Sequence, residues 1–189
     1  MRRNFGAVLF GVFLSANLLL ASGVKAGIVD IFVDLTNVRF NSVENSPLNT
    51  NISVDLGAGF TSYDIIGVGW DLQLGAFFPS WLNEARIRID NGDTALPELY
   101  LTLSGTSSPG LETVSSGGVV DLVAQNLDWS QTSNLVNLHF FDSFNDGFSP
   151  QAIILDGGIT LRVNRIPEPS SLALLGVTSL GLVVRRRRA

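Results

Sequence analysis

Ile66-Gly67-Val68-Gly69-Trp70-Asp71-Leu72-Gln73-Leu74 carries the longest strict alternation in the chain. Ile66, Val68, Trp70, Leu72 and Leu74 fall on one side, with Gly67, Gly69, Asp71 and Gln73 on the other. A period of two is the side-chain repeat of a β-strand buried on one face. No helix uses that spacing.

The same period recurs on both sides of this stretch. Val29, Ile31, Val33 and Leu35 share a face opposite Asp30, Asp34 and Thr36, and Ile52, Val54 and Leu56 repeat the pattern. Downstream, Ile87 and Ile89 alternate with Arg86, Arg88 and Asp90, and Leu99, Leu101 and Leu103 follow. Val119–Val123, Val136–Phe141, Ile153–Leu155 and the row Ile159, Leu161, Val163 complete the set. Turn residues separate them: Asn45-Ser46-Pro47, Gly57-Ala58-Gly59, Asn91-Gly92-Asp93, Ser115 to Gly118, Asn145-Asp146-Gly147 and Asp156-Gly157-Gly158. Eight or nine short strands and no helical period predict an all-β fold. The expected form is a single antiparallel β-sandwich, jelly-roll-like, over residues 27–163. Pro79 to Ala85 is expected to form one helical turn between strands.

Between Gly27 and Ile166, sixteen Asp and Glu stand against five Arg and no Lys, a net charge of −11. Such a surface repels phosphate backbones and anionic lipid, which excludes nucleic acid as a partner. The chain has no cysteine. Thiol catalysis, Cys-type zinc sites and iron–sulfur chemistry are thereby excluded, and the domain must hold together by its core alone.

Little in this middle region points to chemistry. His139 is the only histidine. It sits in a strand between Leu138 and Phe140, and no Gly-x-Ser-x-Gly elbow exists to supply a nucleophile beside it. A structural, half-buried histidine is the expectation, and no catalytic residue is assigned. Two acidic turns, around Asp90 and Asp93 and around Asp142 and Asp146, offer oxygen ligands of the kind Ca²⁺ takes. Neither fits a twelve-residue EF-hand loop, and no cofactor other than Ca²⁺ is considered. Trp70 alternates with core residues and is expected to be buried. Trp81 and Trp129 lie in turn-like contexts, where an exposed ring stacks on sugars.

The two ends differ from the middle. Met1-Arg2-Arg3-Asn4, the apolar stretch Phe5 to Ala21 and the small-residue segment Ser22 to Ala26 form a secretory signal peptide over 1–26, cut between Ala26 and Gly27. At the other end, Pro167-Glu168-Pro169 lies in a linker drawn over 164–171. Two prolines fix φ at both positions and remove two backbone donors, giving a stiff, extended tripeptide with one carboxylate. An apolar segment follows over 172–184, and then the basic tail 185–189 with Arg185, Arg186, Arg187 and Arg188. Thirteen residues of helix span about 20 Å, short of a hydrocarbon core about 30 Å thick. The arginines stop translocation and stay cytoplasmic. Secretion machinery, signal peptidase and the membrane, either transiently or as anchor, are the expected partners.

Pro-Glu-Pro, then Ser-Ser-Leu-Ala-Leu-Leu-Gly, an apolar stretch and an arginine-rich end closely resemble the PEP-CTERM sorting signal. The resemblance covers roughly the final 24 residues. It implies recognition at Pro167, Glu168 and Pro169 by an exosortase, an integral-membrane cysteine protease of bacteria that make exopolysaccharide. It further implies cleavage near the motif and transfer to the cell envelope or beyond. Taken together, the expectation is an exported, exosortase-sorted, non-enzymatic envelope or matrix protein associated with exopolysaccharide. A carbohydrate- or Ca²⁺-dependent adhesion module is the alternative, and a small secreted hydrolase the second alternative.

Overall fold

The computed structural model describes residues 27–93 and 97–167. The expected signal peptide over 1–26, the apolar segment, the basic tail, Glu168 and Pro169 all lie outside the described residues. Eleven strands are present among the described residues. They are β1 (Gly27–Asp34), β2 (Arg39–Phe40), β3 (Thr50–Asp55), β4 (Phe60–Ala76), β5 (Ala85–Asp90) and β6 (Leu99–Thr102). β7 (Gly110–Ser115), β8 (Val120–Asp121), β9 (Trp129–Gln131), β10 (Leu135–Asp142) and β11 (Ala152–Pro167) follow. The expected helical turn is there as a 3₁₀ turn over Leu82–Glu84, with the Trp81 amide donating to Glu84 Oε2 at 2.7 Å.

All pairings are antiparallel. One sheet has the order β1-β11-β4-β7, with β2 added to β11 and β8 and β9 added to β4. The other has the order β3-β10-β5-β6. Both sheets contribute to one buried cluster. Ile65, Val68, Leu72 and Leu74 of β4 and Ile159, Leu161 and Val163 of β11 meet Ile87 and Ile89 of β5 and Val136, Leu138 and Phe140 of β10. Phe40 and Phe140 touch edge to face with ring centres 5.8 Å apart, a geometry the ring quadrupoles favour.

β4 and β11 are the long strands, and each changes phase on the way. Ile66 has no partner on β11, because Arg162 pairs with Gly67 and Val163 with Ile65. The inward row of β4 is therefore Tyr63 and Ile65 before this bulge and Val68, Leu72 and Leu74 after it. This corrects the single face drawn through Ile66, Val68 and Leu74. A bulge inserts one residue and flips every side chain beyond it. Trp70, expected to be buried, is half-buried against the core. Leu155 is the extra residue on β11, between the pairs Ile154–Leu74 and Asp156–Gln73. Asp156-Gly157-Gly158 is thus not a turn between two strands; β11 runs through it.

Three further boundaries differ from the sequence reading. β7, with one buried side chain (Val114), alternates too weakly to stand out. Only Val120–Asp121 of the expected strand 119–123 pairs, and a 3₁₀ turn begins at Val123. The linker expected from residue 164 is strand as far as Pro167: Asn164 pairs with Asp64, Ile166 with Ser62 and Pro167 with Phe60.

Candidate functional site

The chain enters and leaves the fold side by side, since Gly27 pairs with Arg165. The exit is built from both strands. Thr61, bulged out of register, turns its hydroxyl to the carbonyls of Ile166 at 3.2 Å and Pro167 at 3.5 Å. The Arg165 guanidinium lies 5.4 Å from the centre of the Phe60 ring, within cation–π range. The first proline of the tripeptide is thus the last residue of a paired strand. A proline needs no ladder donor, so a strand end can hold it without an unsatisfied amide.

The tryptophans part ways. Trp81 is 44% exposed, as expected, at the end of the fold where β4 leaves at Ala76. Trp129 is 5% exposed in β9, and its indole N–H donates to Gln131 Oε1 at 3.0 Å. The expectation of an exposed Trp129 is corrected: it is a core ring, satisfied at its polar tip, and cannot stack on a sugar.

The structure does not bring the four acidic candidates together. Among the described residues no three His, Asp or Glu are placed to hold one metal ion. Asp90 accepts from the Gly92 amide at 2.9 Å and from Arg88 Nε at 3.0 Å, so it closes a turn and is countered by a cation. Asn91 accepts from the Asp93 amide in the same turn. Asp146 accepts from the Ser80 hydroxyl at 2.5 Å, tying two loops at the Trp81 end.

Asp142 continues the inward row of β10 and is fully buried. One carboxyl oxygen accepts from the Phe144 amide at 3.1 Å, and the other has no partner. Burial pushes this carboxyl up to about 7; the Phe144 bond opposes that, and the charges of Glu84 and Asp146 add to it. The folded state therefore holds a proton that the unfolded chain releases near 3.8. Its contribution to stability is complete below pH 4, falls between pH 4 and pH 7, and is level above. Asp142→Asn, which cannot ionise, is expected to be more stable than the parent at pH 8, by about 4 kcal/mol at most, and no more stable at pH 4. Urea unfolding at the two pH values measures this, and an equal difference at both would refute it.

His139 lies on the opposite face of β10, the outer face of its sheet. Here register assembles what the sequence keeps apart: Asn51, His139, Arg88 and Tyr100 are consecutive cross-strand partners on β3, β10, β5 and β6. His139 Nδ1 is 2.8 Å from Asn51 Oδ1. Nε2 lies 2.9 Å from Asp90 Oδ2, close enough for an ion pair but off the line of the ring N–H. Arg88 Nη1 donates to Glu44 Oε1 at 2.7 Å and reaches Asn45 Oδ1 at 3.4 Å. The Tyr100 hydroxyl stands 2.9 Å from both Glu44 Oε1 and Glu98 Oε2. Burial, reinforced by the two carboxylates, pushes this phenol up to about 12, so it remains a donor. The loop 41–49 is thereby pinned over the sheet, leaving an open cleft of about 280 Å³ between them. Sequence reading placed Arg88 outside Ile87 and Ile89, but had no signal for Glu44, Asn45, Asn51 or Tyr100.

Residues 165–188 match the PEP-CTERM protein-sorting motif. The chain carries that motif, which implies an exported protein, sorted by an exosortase through a membrane-anchored signal. No curated protein matches the chain. Among solved structures, one titled for Desmodium yellow mottle tymovirus is similar at 9% identity over 77% of this chain and 91% of that one, with a TM-score of 0.28. Another, of tomato aspermy virus, is similar at 13% identity over 78% and 82%, also at 0.28. Likeness at that level bears on neither fold nor function.

Proposed function

We propose that the chain is a non-enzymatic exterior protein, released by exosortase to the envelope or extracellular matrix and associated there with exopolysaccharide. The motif at 165–188, joined directly to a folded acidic head, carries the reading. The strand orders β1-β11-β4-β7 and β3-β10-β5-β6 around one core support a jelly-roll-like sandwich as that head. The surroundings of His139, an amide on one nitrogen and a carboxylate beside the other, support the non-enzymatic part. A base poised for acyl transfer faces a hydroxyl instead.

Sorting is tested by Glu168→Ala and, separately, by removal of Arg185 to Arg188. Either change is expected to leave a longer form retained in the membrane fraction. Unchanged mature mass and location in both strains would defeat the reading. Retention of the native protein by the matrix polymer, scored by co-sedimentation, tests the association. The binding-module reading is favoured by one observation, the cleft over β3, β10 and β5.

A further inference from the structure

We propose that the cleft between loop 41–49 and the outer face of β3, β10 and β5 binds a neutral sugar ring of a polysaccharide. The source of such a sugar rests on the matrix-associated reading above; the site itself rests on geometry. Sugar hydroxyls both donate and accept, so a vicinal pair is best met by a planar acceptor and a planar donor held side by side. Glu44, locked to Arg88 at 2.7 Å, is such an acceptor, and the Asn45 and Asn51 amides are such donors.

The lock uses only half of the carboxylate. Glu44 Oε1 takes the bonds from Arg88 and Tyr100, and Oε2 has none among the described residues. Arg88 spends Nε on Asp90 and Nη1 on Glu44, and its guanidinium also meets the Tyr100 hydroxyl. Asn51 faces His139 through Oδ1, and Asn45 faces Arg88 through Oδ1, so both amide N–H₂ groups retain their donors. One acceptor and two donor groups are thus held in place before any ligand arrives, which removes most of the ordering cost of binding. Phe141, on the outer row beside His139, backs the cleft, buried edge to face against the Tyr100 ring. A volume of about 280 Å³ is just under the roughly 300–1,000 Å³ of small-molecule sites. It suits one ring of a chain whose neighbours lie in solvent.

Charge selects against acidic sugars. Glu44, Asp90 and Glu98 surround Arg88 and outnumber it, and the head carries −11 overall. A uronate would meet repulsion at every approach.

The test uses the full chain in detergent, with dextran, cellohexaose, mannohexaose and chitohexaose as neutral probes and polygalacturonate as the acidic one. At least one neutral glycan is expected to bind. Asn51→Ala and Glu44→Gln are each expected to weaken that binding at least tenfold, with the thermal midpoint within a few degrees of the parent. Trp81→Ala, at a loop outside the cleft, is expected to bind as the parent does. Binding of polygalacturonate alone, binding of no neutral glycan, or loss in Trp81→Ala but not in the cleft variants would each overturn the proposal. Tail processing is scored in the same strains by mature mass. Cleft variants that are sorted normally separate a failure here from a failure of the sorting reading.

Discussion

Gly158→Ala is expected to leave almost no folded protein, a loss above about 4 kcal/mol and in the exceptional range for one substitution. A Cβ on Gly158 would stand 2.2 Å from the Val33 carbonyl oxygen and 2.7 and 2.9 Å from two carbons of the Phe32 ring. The ring is largely exposed and can swing away. The carbonyl cannot, because it belongs to the backbone of β1, which is paired along its whole length with β11. Gly157→Ala adds a second fault: φ is +91°, and a Cβ would lie 2.2 Å from the Asp71 oxygen and 2.7 Å from Leu72 Cα on β4. Either change forces β11 away from a neighbour at the centre of the larger sheet. Gly147→Ala is the control. Its φ is +81° with nothing within 4 Å, so only the left-handed strain of about 1–2 kcal/mol applies. Urea midpoints of the three variants decide the point: a Gly158→Ala midpoint no lower than that of Gly147→Ala would contradict the steric account.

The same glycines show where sequence reading stops. Asp156-Gly157-Gly158 has the composition of a turn, and local chemistry alone reads it as one. What makes it strand is non-local: β1 and β4 both approach so closely that no side chain fits. The fold class was legible because burial on one face writes a period of two into every well-buried strand. Rows such as Val136, Leu138 and Phe140 kept that period. β4 broke it at Ile66 and β11 at Leu155, and a phase change looks locally like the end of one strand and the start of another. Trp129 was misplaced for a related reason. β9 is three residues long, too short to show alternation, so a core ring appeared to sit in a loop.

The sorting tripeptide was fully legible, since its order along the chain is its signature. The cleft was not. Glu44 and Arg88 are 44 residues apart, and Asn51 and His139 are 88 apart. Strand register puts Asn51, His139 and Arg88 in one row, and the loop 41–49 brings Glu44 over it. No single stretch of sequence contains that information.

A disulfide between Ser62→Cys and Ile166→Cys is expected to block tail processing almost completely while leaving the head folded. The two positions are antiparallel partners, whose Cα spacing of about 4.5–5.5 Å suits a disulfide. The natural chain has no cysteine to compete. Access decides the outcome. A protease that reads an extended tripeptide must surround it, yet Pro167 is still paired with Phe60, and Thr61 bridges to its carbonyl. The last residues of β11 must therefore leave β4 first, breaking ladder bonds worth about 1 kcal/mol each and the Arg165–Phe60 contact. That cost is small enough for frequent fraying of a strand end. A covalent lock removes the frayed state altogether. The oxidised variant should accumulate as the longer, membrane-retained form, and reductant should restore processing. A matched pair on β4 and β7, Asp71→Cys with Ser115→Cys, should process normally because it leaves β11 free. A Gly-Ser insert with a second isoleucine, placed between Ile166 and Pro167, should rescue the locked chain by moving the tripeptide off the sheet. Normal processing of the oxidised Ser62–Ile166 pair would mean that the protease takes its substrate with the strand end still docked.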